Sequence, residues 1–231
     1  RDPGGHGVYD FVHRDSATYL PISSATPPVE DPGSALEFFG WVIPLSMPEI
    51  VNTRSGTPWW DLLVAHGVDT EVYRIPGNYP VPESKAKVLA GMGTVDMRGG
   101  YGTYTLFADR PVAAEDPKGD IQVVSVQDFD LDGTPDTVEA TLKGPPDLFH
   151  LRPGQIPGPG DYLTTRVTVH RDPESDTAVV KAGAQTTLLQ EGEWSDWLEV
   201  EFDALPFGLM KLHGAVRFFA KELRPAFELY A

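Results

Sequence analysis

From about residue 105 onwards, the sequence is a succession of short segments separated by turn residues. These segments are IQVVSV, TVEATLKG, DYLTTRVTVH, TAVVKAG, TTLLQEG, WLEVEF, GAVRFFAKEL and AFELYA. Apolar and polar residues alternate in TRVTVHR and in WLEVEF, a pattern that is typical of β-strands with one buried face. Short strands at this spacing, with no helical pattern between them, predict an antiparallel β-sandwich or barrel.

The N-terminal part has a different pattern, and its clearest element is the segment TPWWDLLVAHGVD. Thr57 is a suitable N-cap, and Pro58 is suited to the first helical position because it has no amide hydrogen to satisfy. Gly67 is a natural left-handed stop at the end of such a helix. The segment VYRI at residues 72–75 then predicts a strand. A helix followed directly by a strand indicates an α/β layer.

The two patterns together predict an α+β fold that is mainly β. We expect a partial α/β segment at residues 1–108 and an antiparallel β-sandwich-like domain at residues 109–231. The boundary is placed in the polar stretch ADRPVAAEDPKGD, which interrupts both patterns.

Residues 128–139, DFDLDGTPDTVE, concentrate carboxylates in one short segment. Ca²⁺ requires six to eight oxygen ligands arranged around a sharp turn. The segment places acidic residues at positions one, three, five, nine and twelve of an EF-hand-like loop, with a glycine at position six. The predicted ligands are Asp128, Asp130, Asp132, Asp136 and Glu139 through their carboxylates and Thr134 through its carbonyl.

The residues on either side of this acidic loop are strand-like, whereas an EF-hand requires helices. We therefore expect an EF-like loop on a β-hairpin, with a calcium ion that is structural rather than signalling. Without a cation, the carboxylates would repel one another. The alternative is an empty, solvated acidic turn, since Asp-Gly also favours a hairpin turn.

The charge of the chain restricts its partners. The 231 residues include 34 acidic and 18 basic ones, giving a formal net charge of −16. This excess of negative charge disfavours nucleic acid polymers and anionic membrane surfaces. No segment approaches the roughly 18 to 20 apolar residues of a membrane span. The chain has no cysteine, which excludes disulfides and thiolate metal sites. An acidic calcium-binding protein favours an extracytoplasmic location, periplasmic or secreted, where calcium is abundant.

Three stretches resemble bacterial members of the alkaline phosphatase superfamily. They are RDPGGHGVYDFVHRD, TPWWDLLVAHGVDTEVYRIPGNYP and VLAGMGTVDMRGGYGTYTLF. The group they resemble is that of the type I phosphodiesterase/nucleotide pyrophosphatase-like phosphohydrolases. The later β-rich stretch also resembles an insertion found in these proteins, so the resemblance covers most of the chain loosely.

The resemblance implies an enzyme that hydrolyses phosphate esters with two zinc-like metals and a Thr or Ser nucleophile. In that family the nucleophile and a metal-binding Asp precede the position of Arg1, and an Asp-His-Gly motif follows the position of Ala231. No Asp-His-Gly string occurs in this sequence. The chain is therefore expected to be an inactive middle segment whose partner is the remainder of the phosphohydrolase.

Two residues are candidates for contact with a phosphate ester substrate. Arg74 and Asn78 flank the Pro76-Gly77 turn at the end of a predicted strand, and ligands bind at the carboxyl edge of open α/β sheets. Trp194 and Trp197 allow two interpretations, packing across the sandwich or stacking on a carbohydrate. The alternative function for the chain is accordingly a stand-alone calcium-stabilised β-sandwich binding module for carbohydrate or protein.

Overall fold

The protein has the α+β, mainly β fold that the sequence predicts. The computed structural model describes residues 12–23, 34–46, 56–75, 78–91, 93–113, 119–128, 136–153 and 155–231. These residues divide into two compact units. The first unit takes the described parts of Arg1–Leu36 and Pro44–Thr94, and the second takes the described parts of Glu37–Ile43 and Val95–Ala231.

The first unit contains the predicted α/β element. Its first strands, β1 (Val12–Arg14) and β2 (Pro21–Ser23), form a small antiparallel hairpin. The helix α1 (Trp59–Ala65) is followed by β5 (Glu71–Ile75) and β6 (Lys87–Ala90), which pair in parallel. Between β2 and α1, a second hairpin is formed by β3 (Ala35–Phe38) and β4 (Trp41–Pro44). The tip of this hairpin belongs to the second unit.

The helix α1 begins one residue later than the sequence predicts. Pro58 occupies the N-cap position and no side chain caps the helix, so the expected cap by Thr57 is wrong. Its end agrees with the prediction, because Gly67 adopts a φ of +76°. Trp60 is 2% exposed and packs with Val72 and Ala86, so this helix is held by one apolar face.

The second unit contains a five-stranded antiparallel sheet. Its strands are β9 (Val126–Gln127), β10 (Thr137–Pro146), β11 (Tyr162–Arg171), β12 (Thr177–Ala182) and β13 (Gln185–Gln190). They lie side by side in sequence order, as hairpin connections produce. Every second residue of β12 is buried, which is the period that the sequence predicts.

Two further sheets complete the second unit. One contains β7 (Tyr104–Ala108), β8 (Gly119–Val123), β16 (Phe219–Glu222) and β17 (Glu228–Tyr230), in the order β16-β17-β7-β8. The other is the hairpin of β14 (Leu198–Leu205) and β15 (Met210–Val216). Because β7 and β8 pair in parallel, the four-stranded sheet is mixed rather than wholly antiparallel.

The three sheets of the second unit share one apolar core, as in a sandwich. Val138, Val167 and Val180 contribute to it from the five-stranded sheet, and Phe107 and Phe202 contribute from the other two sheets. All five side chains are essentially inaccessible to solvent. This burial explains why β7 belongs to the second unit, whose larger segment starts at Val95, whereas the predicted boundary lies after residue 108.

One predicted strand is two strands in the structure. Within the segment GAVRFFAKEL, β15 ends at Val216 and β16 begins at Phe219, and the two strands belong to different sheets. Apolar residues continue through the break because Phe218 lies in the core. Within the described residues, no helix has the length and apolar character that a membrane span requires.

Candidate functional site

The acidic segment connects β9 to β10. The two strands are antiparallel, with Gln127 opposite Thr137, and the amide of Asp136 donates a hydrogen bond to the Gln127 carbonyl at 3.1 Å. Asp128 and Asp136, at the first and ninth positions of the predicted calcium loop, therefore lie at the two ends of one hairpin connection. The strand flanks agree with a loop of this kind on a β-hairpin.

The middle of the predicted calcium loop lies outside the described residues. This applies to Asp130, Asp132 and Thr134. Among the residues that the structure describes, no three His, Asp or Glu side chains are grouped closely enough to hold a metal ion. The calcium site therefore stays a prediction.

The base of the acidic loop is connected to β11. The Asp136 carboxylate accepts a hydrogen bond from the Thr137 hydroxyl at 2.9 Å, and the Asp136 carbonyl accepts one from the amide of Arg171 at 2.8 Å. The Arg171 side chain is buried and donates to the Leu223 carbonyl at 2.8 Å. Burial and the neighbouring Arg224 lower the pKa of Arg171, while Asp109 and Asp136 act in the opposite direction. One end of the loop is thus fixed to a buried, positively charged part of the sheet.

Glu139, at the twelfth loop position, lies within β10 rather than in the loop. Its partner in the sheet register is Thr168 of β11, and its carboxylate forms an ion pair with Arg166 of the same strand. To bind a calcium ion, the Glu139 carboxylate would have to give up its ion pair with Arg166. The Glu139 carboxylate therefore already has a cationic partner that would compete with a calcium ion.

Arg74 occupies an irregular position at the carboxyl end of β5. The pairing of β5 with β6 shifts register between Tyr73 and Ile75, and Arg74 adopts a φ of +56°. The backbone of Gly91 passes so close that a Cβ atom there would lie 2.5 Å from the Arg74 carbonyl carbon. Bulges of this type redirect a side chain and occur frequently beside active sites.

The two predicted substrate contacts differ in accessibility. The Arg74 side chain is exposed, whereas Asn78 is 0% exposed. A dissolved phosphate ester can therefore reach Arg74 directly, and Asn78 lies behind the surface.

The rings of Trp194 and Trp197 both lie against the guanidinium group of Arg217. We call the group formed by Trp194, Ser195, Trp197 and Arg217 the Arg217 clamp. The guanidinium carbon of Arg217 lies 5.3 Å from the centre of the Trp194 ring and 5.8 Å from that of Trp197. Its Nε donates a hydrogen bond to the Ser195 carbonyl at 2.8 Å. The two rings nevertheless remain 53% and 69% exposed. This geometry gives the two tryptophans a packing role and leaves part of each ring accessible to a ligand.

A cleft that was not expected from the sequence lies at the tip of the β3–β4 hairpin, and we call it the hairpin-tip cleft. It has a volume of about 400 Å³ and is lined by Glu37, Phe38, Phe39, Trp41, His150 and Arg152, among others. No motif marks these residues, because the two sides of the cleft are far apart in sequence. The available signal was two consecutive phenylalanines before a glycine, at a hairpin turn where apolar side chains are not expected.

The comparisons with known proteins give no family. The chain matches no model of a known protein family, no curated protein and no solved structure.

Proposed function

We propose that this chain is a segment of a metal-dependent phosphohydrolase of the phosphodiesterase/nucleotide pyrophosphatase-like type. In this proposal the first unit supplies a substrate contact, and the second unit is a β-sandwich stabilised by one calcium ion. The catalytic metals and the nucleophile are supplied by residues outside this chain, so the segment alone has no hydrolytic activity.

The observation that carries the proposal is the position of Arg74. It is an exposed arginine in a bulge at the carboxyl end of a parallel strand, next to a helix–strand unit. Its guanidinium can donate two parallel hydrogen bonds to a phosphate group. A non-glycine residue with positive φ is strained, and such strain persists where a side chain must be held in a particular direction.

The calcium part of the proposal is supported by the hairpin base. Asp128 and Asp136 stand at opposite ends of a connection whose length and glycine position match the loop pattern. The Asp136 end is fixed by hydrogen bonds to β11, which reduces the conformational entropy that ion binding would otherwise cost.

Phosphate binding tests the role of Arg74. Titration with inorganic phosphate or dimethyl phosphate, followed by NMR of the arginine side chains, is expected to shift the Arg74 Nε–H signal. Arg74→Ala should abolish saturable binding, and Arg74→Lys should weaken it because a lysine cannot form the bidentate contact. Arg14→Ala is the matched control, since Arg14 is also an exposed strand arginine of the first unit.

A second measurement addresses the missing catalytic centre. With a chromogenic phosphodiester and added Zn²⁺, we expect the chain to show no turnover above that of the metal alone. Turnover above that of the metal alone, or phosphate binding unaffected by Arg74→Ala, would contradict the proposal.

The second candidate function is a calcium-stabilised β-sandwich binding module for carbohydrate or protein. It is favoured by Trp194 and Trp197 of the Arg217 clamp, two exposed rings that both lie against the same guanidinium. Monomeric proteins seldom expose large apolar side chains in groups, and such groups mark binding surfaces. This candidate predicts ligand binding that persists in Arg74→Ala, which separates it from the first.

A further inference from the structure

The hairpin-tip cleft has the size and accessibility of a binding site for a small molecule. Its volume of about 400 Å³ lies within the range of roughly 300 to 1,000 Å³ that is usual for ligand pockets. The cleft is built within the second unit, where the amide of Val42 in β4 donates a hydrogen bond to the Phe149 carbonyl at 2.7 Å. That bond fixes the hairpin against the segment that forms the opposite wall.

Aromatic rings form one part of the cleft. Phe38 and Phe39 pack edge to face, with ring centroids 4.5 Å apart, and both are exposed. Trp41 packs against His150, with ring centroids 4.3 Å apart and planes tilted by 44°, and this contact restricts its position. Exposed aromatic faces next to a concave surface provide stacking area with little loss of side-chain entropy on binding.

Phe39 has no evident role in forming the fold. It adopts a φ of +47° and Gly40 a φ of +82°, in a two-residue hairpin turn. Asn-Gly or Gly-Gly would satisfy such a turn with less strain. Its side chain is 88% exposed and so contributes little to a core. A strained and exposed aromatic residue beside a cleft indicates selection for contact with a ligand.

The basic side chains of the cleft each have a carboxylate partner. Arg152 makes a two-point contact with Glu37, at 2.9 Å from Nε to Oε1 and 3.2 Å from Nη2 to Oε2. His150 Nδ1 lies 2.6 Å from Asp147 Oδ2. Each nitrogen-bearing side chain that can carry positive charge here is thus matched by a carboxylate, and the net charge of −16 further disfavours an anionic ligand. A nucleotide is therefore a poor match for this cleft.

A neutral polyhydroxylated ligand matches these properties. Sugar rings present C–H faces that pack on aromatic side chains, and their hydroxyl groups donate to carboxylates and accept from guanidinium groups. We propose that the hairpin-tip cleft binds a neutral saccharide, with one sugar ring stacked on Phe39 and hydroxyl groups bonded to the Glu37–Arg152 pair. The inference is independent of Arg74 and of the calcium loop, and it would give the binding-module candidate its ligand class.

Binding of neutral oligosaccharides to the full chain tests the inference. The probes are hexasaccharides of β-1,4-glucose, β-1,3-glucose, α-1,4-glucose and β-1,4-xylose, titrated by calorimetry and by NMR of the Trp41 indole. We expect saturable binding of at least one probe. Phe39→Gly should weaken this binding about three- to tenfold, the loss of one stacking contact. It should leave the melting temperature unchanged or raised, because glycine relieves the strained turn.

Phe207→Gly is the matched control, because Phe207 is also an exposed phenylalanine with positive φ before a glycine, at another hairpin turn. It should leave saccharide affinity unchanged. Glu37→Gln, which keeps the shape of the side chain and removes its charge, should also weaken binding. Arg74→Ala should have no effect on saccharide affinity, so failure here and failure of the phosphate site are separable.

Three results would overturn the inference. The first is the absence of saturable binding by every probe at about 10 mM, a concentration at which even weak sites fill. The second is equal loss of affinity in Phe39→Gly and Phe207→Gly. The third is tighter binding of adenosine monophosphate than of any saccharide in Arg74→Ala, detected at the Trp41 indole, which would assign the cleft to an anionic ligand.

Discussion

The two units of the protein differ in the size of their apolar cores. In the first unit, the described core consists of Trp60, Val72 and Ala86 with a few half-buried neighbours. In the second, three sheets contribute to one core that includes four fully buried phenylalanines. Since burial of apolar surface is the main favourable term in folding, the second unit has the core of a stable domain and the first has a small one.

The two units also differ in what they present to a ligand. The first unit places a single exposed arginine at a strained position of a parallel strand pair. The second presents a cleft on a hairpin that is hydrogen-bonded to Phe149, and an acidic loop whose flanking strands belong to the five-stranded sheet. Sites on well-packed strands are held more accurately than sites on small cores. The comparison therefore predicts a rigid ligand platform in the second unit and a less stable one in the first.

The largest expected effect comes from truncating the two cores. Phe227→Ala should reduce the free energy of unfolding of the second unit by about 3–5 kcal/mol, the usual cost of deleting a buried aromatic side chain. Trp60→Ala should instead reduce amide exchange protection in β5 and β6. Hydrogen exchange monitored by NMR separates the two effects. Equal loss of protection in β10, β11 and β12 in Trp60→Ala would contradict the contrast between the units.

Calcium removal should act on the second unit. A ligand present at about 100 times its dissociation constant stabilises the folded state by roughly 2.7 kcal/mol. We therefore expect chelation to lower the melting temperature of the second unit, and Asp128→Ala to abolish this difference.

Asp176→Ala is the matched control for the calcium prediction, because Asp176 is an exposed aspartate of the second unit outside the loop. Calorimetry with and without calcium gives the measurement. A calcium effect that survives Asp128→Ala would show that the ion binds elsewhere.

The Arg217 clamp should contribute a stabilisation of about the same size as the ion. Arg217→Ala removes one charge-assisted hydrogen bond to the Ser195 carbonyl, worth about 1.5–3 kcal/mol, together with its stacking on two rings. Arg217→Lys should recover part of the loss, since an ammonium group retains the attraction to the rings without the planar stack. Denaturant unfolding followed by tryptophan fluorescence measures both variants, and full recovery by lysine would argue against stacking.

The smallest expected effect is a change in acid stability at Asp96 of the second unit. Burial opposes ionisation of Asp96, but hydrogen bonds from Thr103, Gly100 and Arg98 outweigh it and lower its pKa. The folded pKa is below the unfolded value of about 3.9, so this stabilisation is present above that pH and is lost as the pH falls through the folded pKa. In Asp96→Asn, the free energy of unfolding should therefore fall less steeply as the pH is lowered.

Glu71 of the first unit provides the comparison for Asp96. Its pKa is lowered chiefly by the hydrogen bond from Lys87, but the pair is exposed to solvent and is screened. We expect Glu71→Gln to change the acid unfolding curve less than Asp96→Asn does. The reverse order, measured by circular dichroism between about pH 2 and 6, would contradict this comparison.

The sequence predicted elements whose pattern is local. Buried and exposed side chains alternate along the whole length of strands such as β11 and β14, and the helix α1 stops before Gly67 as expected. It did not predict the parallel pairing of β7 with β8, because nothing in either segment encodes its neighbour in the sheet or the relative direction of the two strands. The division of GAVRFFAKEL between two sheets was missed for the same reason, since Phe218 is apolar both in a strand and at a break.

The candidate sites follow the same rule. The acidic loop and its hairpin setting were predictable because all of its residues lie within one short segment. The cleft was not, because Phe39 and Arg152 come together only through the fold. The ion pair of Glu139 with Arg166 also depends on the register of two strands, which the spacing of acidic residues does not contain.

The close approach of Gly91 to Arg74 has an evolutionary consequence. Any side chain at position 91 would collide with the backbone of the bulge. A substitution of Gly91 would displace Arg74 although Arg74 itself is unchanged, so selection on Arg74 also acts on position 91. Among descendants that keep the function of Arg74, glycine at position 91 should be invariant, while lineages that lose this function are free to replace both.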